Sequence, residues 1–155
     1  MDSTDLRNAY ATFLDVARGG GFGPPPPNSW SAEQVVAHIA MNDRALIAAT
    51  LDVLVGEPTR LDNSLITSGA VLSRHATERG GLKQLIEDVD ASSRDLCDLV
   101  DRLDDAHAHT EVPAHLVDGD EVRVDSPLAW GRVVGGASRY HLEVHAEQLR
   151  ELRTG

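Results

Sequence analysis

Four stretches of the sequence set apolar residues three and four positions apart, the period of an amphipathic helix, and glycine or proline punctuation falls between them. Each apolar stripe must be covered by another element, which points to an all-α fold, a bundle of four long helices. The first stretch, Thr4 to Arg18, carries Leu6, Ala9, Tyr10, Phe13, Leu14 and Ala17 on one side and stops at Gly19. After Gly19 to Gly23 and Pro24 to Pro27, the run Ser31-Ala32-Glu33-Gln34 has the form of a capping box, in which a serine hydroxyl and a glutamine side chain satisfy the first free amides. The helix it opens runs to about Val55, ahead of Gly56 and Pro58. Val35, His38, Ile39, Asn42, Leu46 and Ala49 lie along one side, so His38 and Asn42 intrude as polar groups on an apolar stripe.

A short helix is expected around Ala70 to Glu78, and a third long one from Leu82 to Leu103, where Leu85, Ile86, Val89, Leu96, Leu99 and Val100 keep the helical period. Val112 to Val117 and Glu121 to Val124 flank Asp118-Gly119-Asp120, which predicts a small β-hairpin between the third and fourth helices. Ser126-Pro127 supplies a cap and a first-turn proline for a fourth helix reaching Leu152. Trp130, Val134, Ala137, His141, His145, Gln148 and Leu152 share one of its faces. Residues 1–155 read as one domain, long enough to bury about 68–70% of the unfolded surface.

The 14 Lys+Arg stand against 25 Asp+Glu, a formal charge of −11. A surface of that sign repels phosphate backbones and anionic lipid, so neither nucleic acid nor a membrane is the expected partner. Met1 to Gly20 holds no apolar run suited to a signal peptide, and Asp52 interrupts the most apolar later stretch, so a cytoplasmic location is expected. The single cysteine, Cys97, excludes an internal disulfide and a cysteine-rich zinc module; a small buried hydrophobe is its default role. Histidine is the overused type, with 7 residues.

His141 and His145 sit one helical turn apart and project to the same side, where they can share an ion. His38 is the histidine in the interior stripe of another long helix and is the candidate third ligand. Three imidazoles at about 2.0–2.1 Å suit zinc, nickel or a similar divalent ion and leave at least one coordination position open, as in catalytic sites. The plainer alternatives are a surface pair that arose by chance and a hydrogen-bonded core histidine. In His141-Leu142-Glu143-Val144-His145 the glutamate lies about 200° around the helix from His141 and faces away from a shared ion, so a metalloprotease reading fails. His107, His109 and His115 form a second, loop-borne cluster, read with His75 as mostly solvated. Asn42 could orient an imidazole or bind a ligand; Arg139 and Arg44 could pair with a carboxylate of a cofactor or substrate. Trp130 could wall the pocket, although core packing is the alternative for it.

The segment Trp30 to Ile39, with a tryptophan, a capping serine and then His38, resembles the start of the second helix in the DinB/YfiT-like superfamily. His141-x-x-x-His145-x-x-Gln148-Leu149 is similar to that superfamily's closing motif. The resemblance implies a DinB/YfiT-type bundle holding zinc or nickel on His38, His141 and His145. It further implies a thiol S-transferase joining mycothiol, or another low-molecular-weight thiol, to a small-molecule electrophile. Thirteen Arg against the single Lys83 hint at a high-GC genome and favour mycothiol. The related mycothiol-dependent maleylpyruvate isomerases typically have glutamate where His141 stands and carry a C-terminal domain, so the expectation leans to short, all-histidine members. A mycothiol-dependent maleylpyruvate isomerase-like or metal-dependent hydrolase activity is an alternative, as is a non-catalytic metal- or ligand-binding bundle that acts through a homodimer or a protein partner.

Overall fold

The computed structural model describes residues 1–154. Helix α1 spans Thr4–Gly19 and α2 spans Ala32–Leu54. The capping box at the head of α2 forms as its sequence dictates: Ser31 Oγ accepts from the Gln34 amide at 3.2 Å and Gln34 Oε1 accepts from the Ser31 amide at 2.8 Å. The Gln34 Nε2 group also donates to the Gly69 carbonyl and Ser73 Oγ, which ties this helix start to α3, Gly69–Arg79. Gly80, at φ 91°, ends α3 in the left-handed conformation that glycine tolerates, and α4, Leu82–Val100, follows at once. A short α5, Asp105–His109, closes the helical part of the middle segment.

The strands are small. Leu61–Asp62 (β1) pairs in parallel with Ala114–Asp118 (β3), which pairs antiparallel with Glu121–Asp125 (β4) across the expected Asp-Gly turn; Gly119 there has φ 59°. Glu111–Val112 (β2) pairs with Leu128–Ala129 (β5). Val112 therefore belongs to a second, separate ribbon and not to the hairpin. The Ser126-Pro127 helix start is corrected by the same pairing. Ser126 donates its amide to the Ala114 carbonyl and Leu128–Ala129 are taken up by β5, so helix α6 begins at Trp130 and ends at Gly136.

The fourth long helix is also interrupted. A π turn over Ala137–His141 separates α6 from α7, Leu142–Glu151. Such a turn holds one residue more than an α turn, which rotates everything upstream by about 100° relative to the histidine pair. The plain bundle expected from the periodicity is thus amended. The fold is predominantly helical with a few small strands; α1 packs on α4 and α7, and α2 on α4 and α7, while α3 covers α2.

The core between these helices is aliphatic, as the scarcity of aromatics requires. Phe13, Val36, Ile39, Leu85, Val89 and Leu149 are fully buried, and truncating Phe13 to alanine should cost about 3–5 kcal/mol. One polar network crosses it: Tyr10 donates to Asp43 Oδ1 at 2.5 Å and Ser92 Oγ donates to Oδ2 at 2.7 Å, joining α1, α2 and α4. Burial raises the Asp43 carboxyl to about 7 even though both hydrogen bonds oppose the shift.

The two chain segments that bear the histidines are fastened to each other. The Gly23 amide donates to the Leu152 carbonyl at 2.8 Å and Thr154 donates its amide to Gly21 O at 3.1 Å, while Phe22 bridges Arg153. A Cβ on Gly23 would lie 2.6 Å from Thr154 Cγ2, so any larger residue there would require that exposed methyl to shift. The clasp fixes the loop ahead of α2 against the end of α7 and sets the two helices facing one another.

Candidate metal centre

His38 is the seventh residue of α2, on the stripe that packs toward α7; His141 closes the π turn and His145 lies one turn on. One nitrogen from each imidazole lies within 4.8 Å of the other two. His38 Nε2 and His141 Nε2 are 2.9 Å apart, and the ring centroids of the three residues are separated by 4.6 to 5.0 Å. Nitrogens on a tetrahedral ion at about 2.0–2.1 Å stand roughly 3.3 Å from each other. The donor set therefore fits a first-row divalent cation to within a few tenths of an ångström at its closest pair.

The far nitrogens fix the tautomers. His38 Nδ1 donates to the Ile66 carbonyl at 2.6 Å, and His145 Nδ1 donates to Gln148 Oε1 at 2.7 Å. With Nδ1 carrying the proton, each Nε2 presents a lone pair, as a metal ligand must. Burial, the largest cause for all three rings, drives them toward the neutral form. His38 falls to about 4, and mutual repulsion between the imidazoles lowers His38 and His141 further. Among the described residues no carboxylate bonds to any of the three.

A cavity of about 590 Å³ opens onto the cluster and is lined by all three histidines together with Trp30, Asn63, Asp118 and Gln148. Its volume falls in the range of small-molecule sites. Trp30 packs on His38 and His145, at centroid distances of 5.0 and 6.0 Å, and shields them on one side. Asn28, at φ 64°, turns the chain into this wall; asparagine is among the few side chains that accept such a conformation.

The other sequence-derived candidates distribute unevenly. Asn42 lines a second cavity that also touches His141. Arg139 is not brought to the histidines; it lies on the outer side of the π turn, in a surface groove with Asp5, Asn8 and Glu143. Arg44 is exposed, with its charge acting on His75 and Asp88. Trp130 is fully buried in the core, rotated away from the cavity by the extra residue of the π turn, and its Nε1 has no partner among the described residues. The loop-borne set does not converge: His107 bonds Asp104, His109 bonds the Asp105 carbonyl and His115 bonds Asp125. His75, expected to be solvated, is half-buried and its Nε2 lacks a partner.

Sequence reasoning missed the Ile66 carbonyl, Asn63 and Asp118. A backbone acceptor leaves no mark in a sequence, and both side chains reach the site only through strand pairing. Gln148, three residues after His145, was legible as a same-face partner.

No family model matches the chain, and no curated protein matches it in sequence. In structure the chain is similar to a crystal structure of a mycothiol-dependent maleylpyruvate isomerase, with a TM-score of 0.74 at 17% identity over 97% of this chain and 60% of that one. The chain thus spans about three fifths of the length of that protein's chain. At this identity the likeness shows a shared fold. Among the described residues no helix is long and apolar enough to cross a membrane.

Proposed function

We propose that the chain is a cytoplasmic, metal-dependent thiol S-transferase of the DinB/YfiT type, a single domain over residues 1–155 that joins a low-molecular-weight thiol such as mycothiol to an electrophilic small molecule. The observation that carries this reading is the convergence of three neutral imidazoles at the wall of a cavity large enough for a thiol cosubstrate. His38, His141 and His145 would hold a divalent ion, zinc or nickel by the nitrogen donor set, which would lower the pKa of a bound thiol toward neutral pH.

The chain's own groups prepare that chemistry. Ile66 and Gln148 hold the His38 and His145 rings in the tautomer with Nε2 free. Trp30 keeps water from one side, which strengthens electrostatic interactions at the cluster. In the transfer the thiol proton passes to solvent, a sulfur lone pair forms the new C–S bond, and the leaving group departs with the electrons of its own bond to carbon.

An isomerase reading has the structural neighbour's activity in its favour. A thiol that adds to and then leaves a double bond is regenerated, whereas a transferase consumes it. The test is thiol consumption by zinc-loaded protein supplied with mycothiol and 1-chloro-2,4-dinitrobenzene, in which chloride leaves as the C–S bond forms. The expected result is one thiol lost per chloride released, above the buffer rate, with no acceleration by His38→Ala. Full zinc occupancy with no acceleration over buffer would overturn the reading.

A further inference from the structure

His141 is the shared wall of two cavities. Beside the polar one lies a second of about 240 Å³, bounded by Leu46 of α2, Leu61 of β1, Leu116 of β3, Leu128 of β5 and Val133 of α6. Its volume falls just under the roughly 300–1,000 Å³ of drug-sized sites, which limits an occupant to a short chain or a single ring. Asn63 also borders it, but its amide is already paired with the Val117 backbone through both its oxygen and its nitrogen.

The remaining polar side chains on this wall are Asn42 and Arg132. Among the described residues neither makes a hydrogen bond or an ion pair, so the Arg132 guanidinium, at an exposed position on the rim of the chamber, is one of the arginines left without a carboxylate. His141 is likewise the one imidazole of the cluster whose Nδ1 has no acceptor among the described residues. An apolar chamber that ends in an unpaired guanidinium and borders the candidate metal ligand has the chemistry of a site for an amphiphilic anion.

We infer that this chamber receives the electrophilic substrate, and that the substrate is a small monocarboxylate whose short apolar body lies among Leu46, Leu116 and Leu128 with its carboxylate on Arg132. Asn42 offers an amide to a polar group along that body. The inference rests on the proposed function, which needs a second substrate beside the thiol; the polar cavity is left for the thiol and His141 lies where the two meet.

The test is binding, not turnover. Full-length protein, metal-free and zinc-loaded, is titrated with sodium hexanoate and with neutral hexanamide while the leucine and valine methyl resonances are followed by NMR. Hexanoate should bind about tenfold more tightly than hexanamide and shift methyls of Leu46, Leu116, Leu128 and Val133. Arg132→Gln, at an exposed position, should bring hexanoate down to the level of hexanamide, and Val133→Phe should weaken both ligands. Equal binding of the two ligands, shifts confined to other methyls, or an Arg132→Gln protein that keeps the preference would overturn the inference. Metal content is measured on the same samples. Hexanoate binding that persists in protein unable to hold zinc upholds the chamber and counts against the proposed function; zinc uptake without hexanoate binding does the reverse.

Discussion

His38 and His141 stand 103 positions apart in the chain and bring their Nε2 atoms to 2.9 Å of each other. Two acceptor nitrogens at that separation repel unless a proton or a cation lies between them. The partners of the outer nitrogens differ in kind: His38 is held by a backbone carbonyl and His145 by a side chain.

That difference makes one support removable. Gln148→Leu deletes the acceptor of His145 Nδ1 and frees the ring to take the other tautomer, which should weaken zinc affinity by about 10–100-fold. Competition with a chromophoric chelator measures the change. An affinity equal to that of the parent protein would show that Gln148 does not orient the ring.

Asp43 should give the protein an unusual pH dependence. Its carboxyl titrates near 3.8 in the unfolded chain and at about 7 in the fold, so between those values the folded state binds more protons and stability falls as pH rises. The contribution is fully present below pH 4 and lost above pH 7, a difference on the order of 4 kcal/mol. Asp43→Asn should flatten this decline, because the amide stays neutral between Tyr10 and Ser92. Urea denaturation of both proteins at pH 5 and pH 8 checks it, and parallel pH profiles would contradict it.

Cys97 should be chemically silent in the folded protein. It is 1% exposed, and burial pushes its thiol up to about 11, so little thiolate exists at neutral pH. A thiol-reactive disulfide reagent at pH 8 should modify it only on unfolding, and Cys97→Ala should leave thiol transfer unchanged. Rapid labelling of native protein would show the helix interface to be open.

The capping box ahead of His38 is testable by stability alone. Ser31→Ala removes the acceptor for the Gln34 amide and should cost about 1 kcal/mol. Gln34→Ala should cost more, since it also severs the bonds to Gly69 and Ser73. Thermal unfolding ranks the two variants, and a smaller loss for Gln34→Ala would contradict the shared role.

Much of this arrangement was legible because it is local. The capping box, the apolar stripes of α1, α2 and α4, and the one-turn spacing of His141 and His145 depend on residues within a few positions of each other. What escaped depends on distant pairings. The β2–β5 ribbon delayed the fourth helix from Ser126 to Trp130, and the π turn at Ala137–His141 changed the face of Trp130. Nothing in Gly135-Gly136-Ala137 announces a π turn, since glycine and alanine tolerate either helix. The second cavity and its arginine were invisible for the same reason, because strands β1, β3 and β5 all contribute to its wall.

Zinc-edge X-ray absorption on the reconstituted protein, with the metal counted per chain, examines the histidine centre most directly. One zinc per chain with three imidazole nitrogens at about 2.0–2.1 Å, falling to two imidazoles and weak occupancy in His38→Ala, is the predicted result. Zinc bound with fewer than three imidazoles in the parent protein, or held equally well without His38, would contradict it.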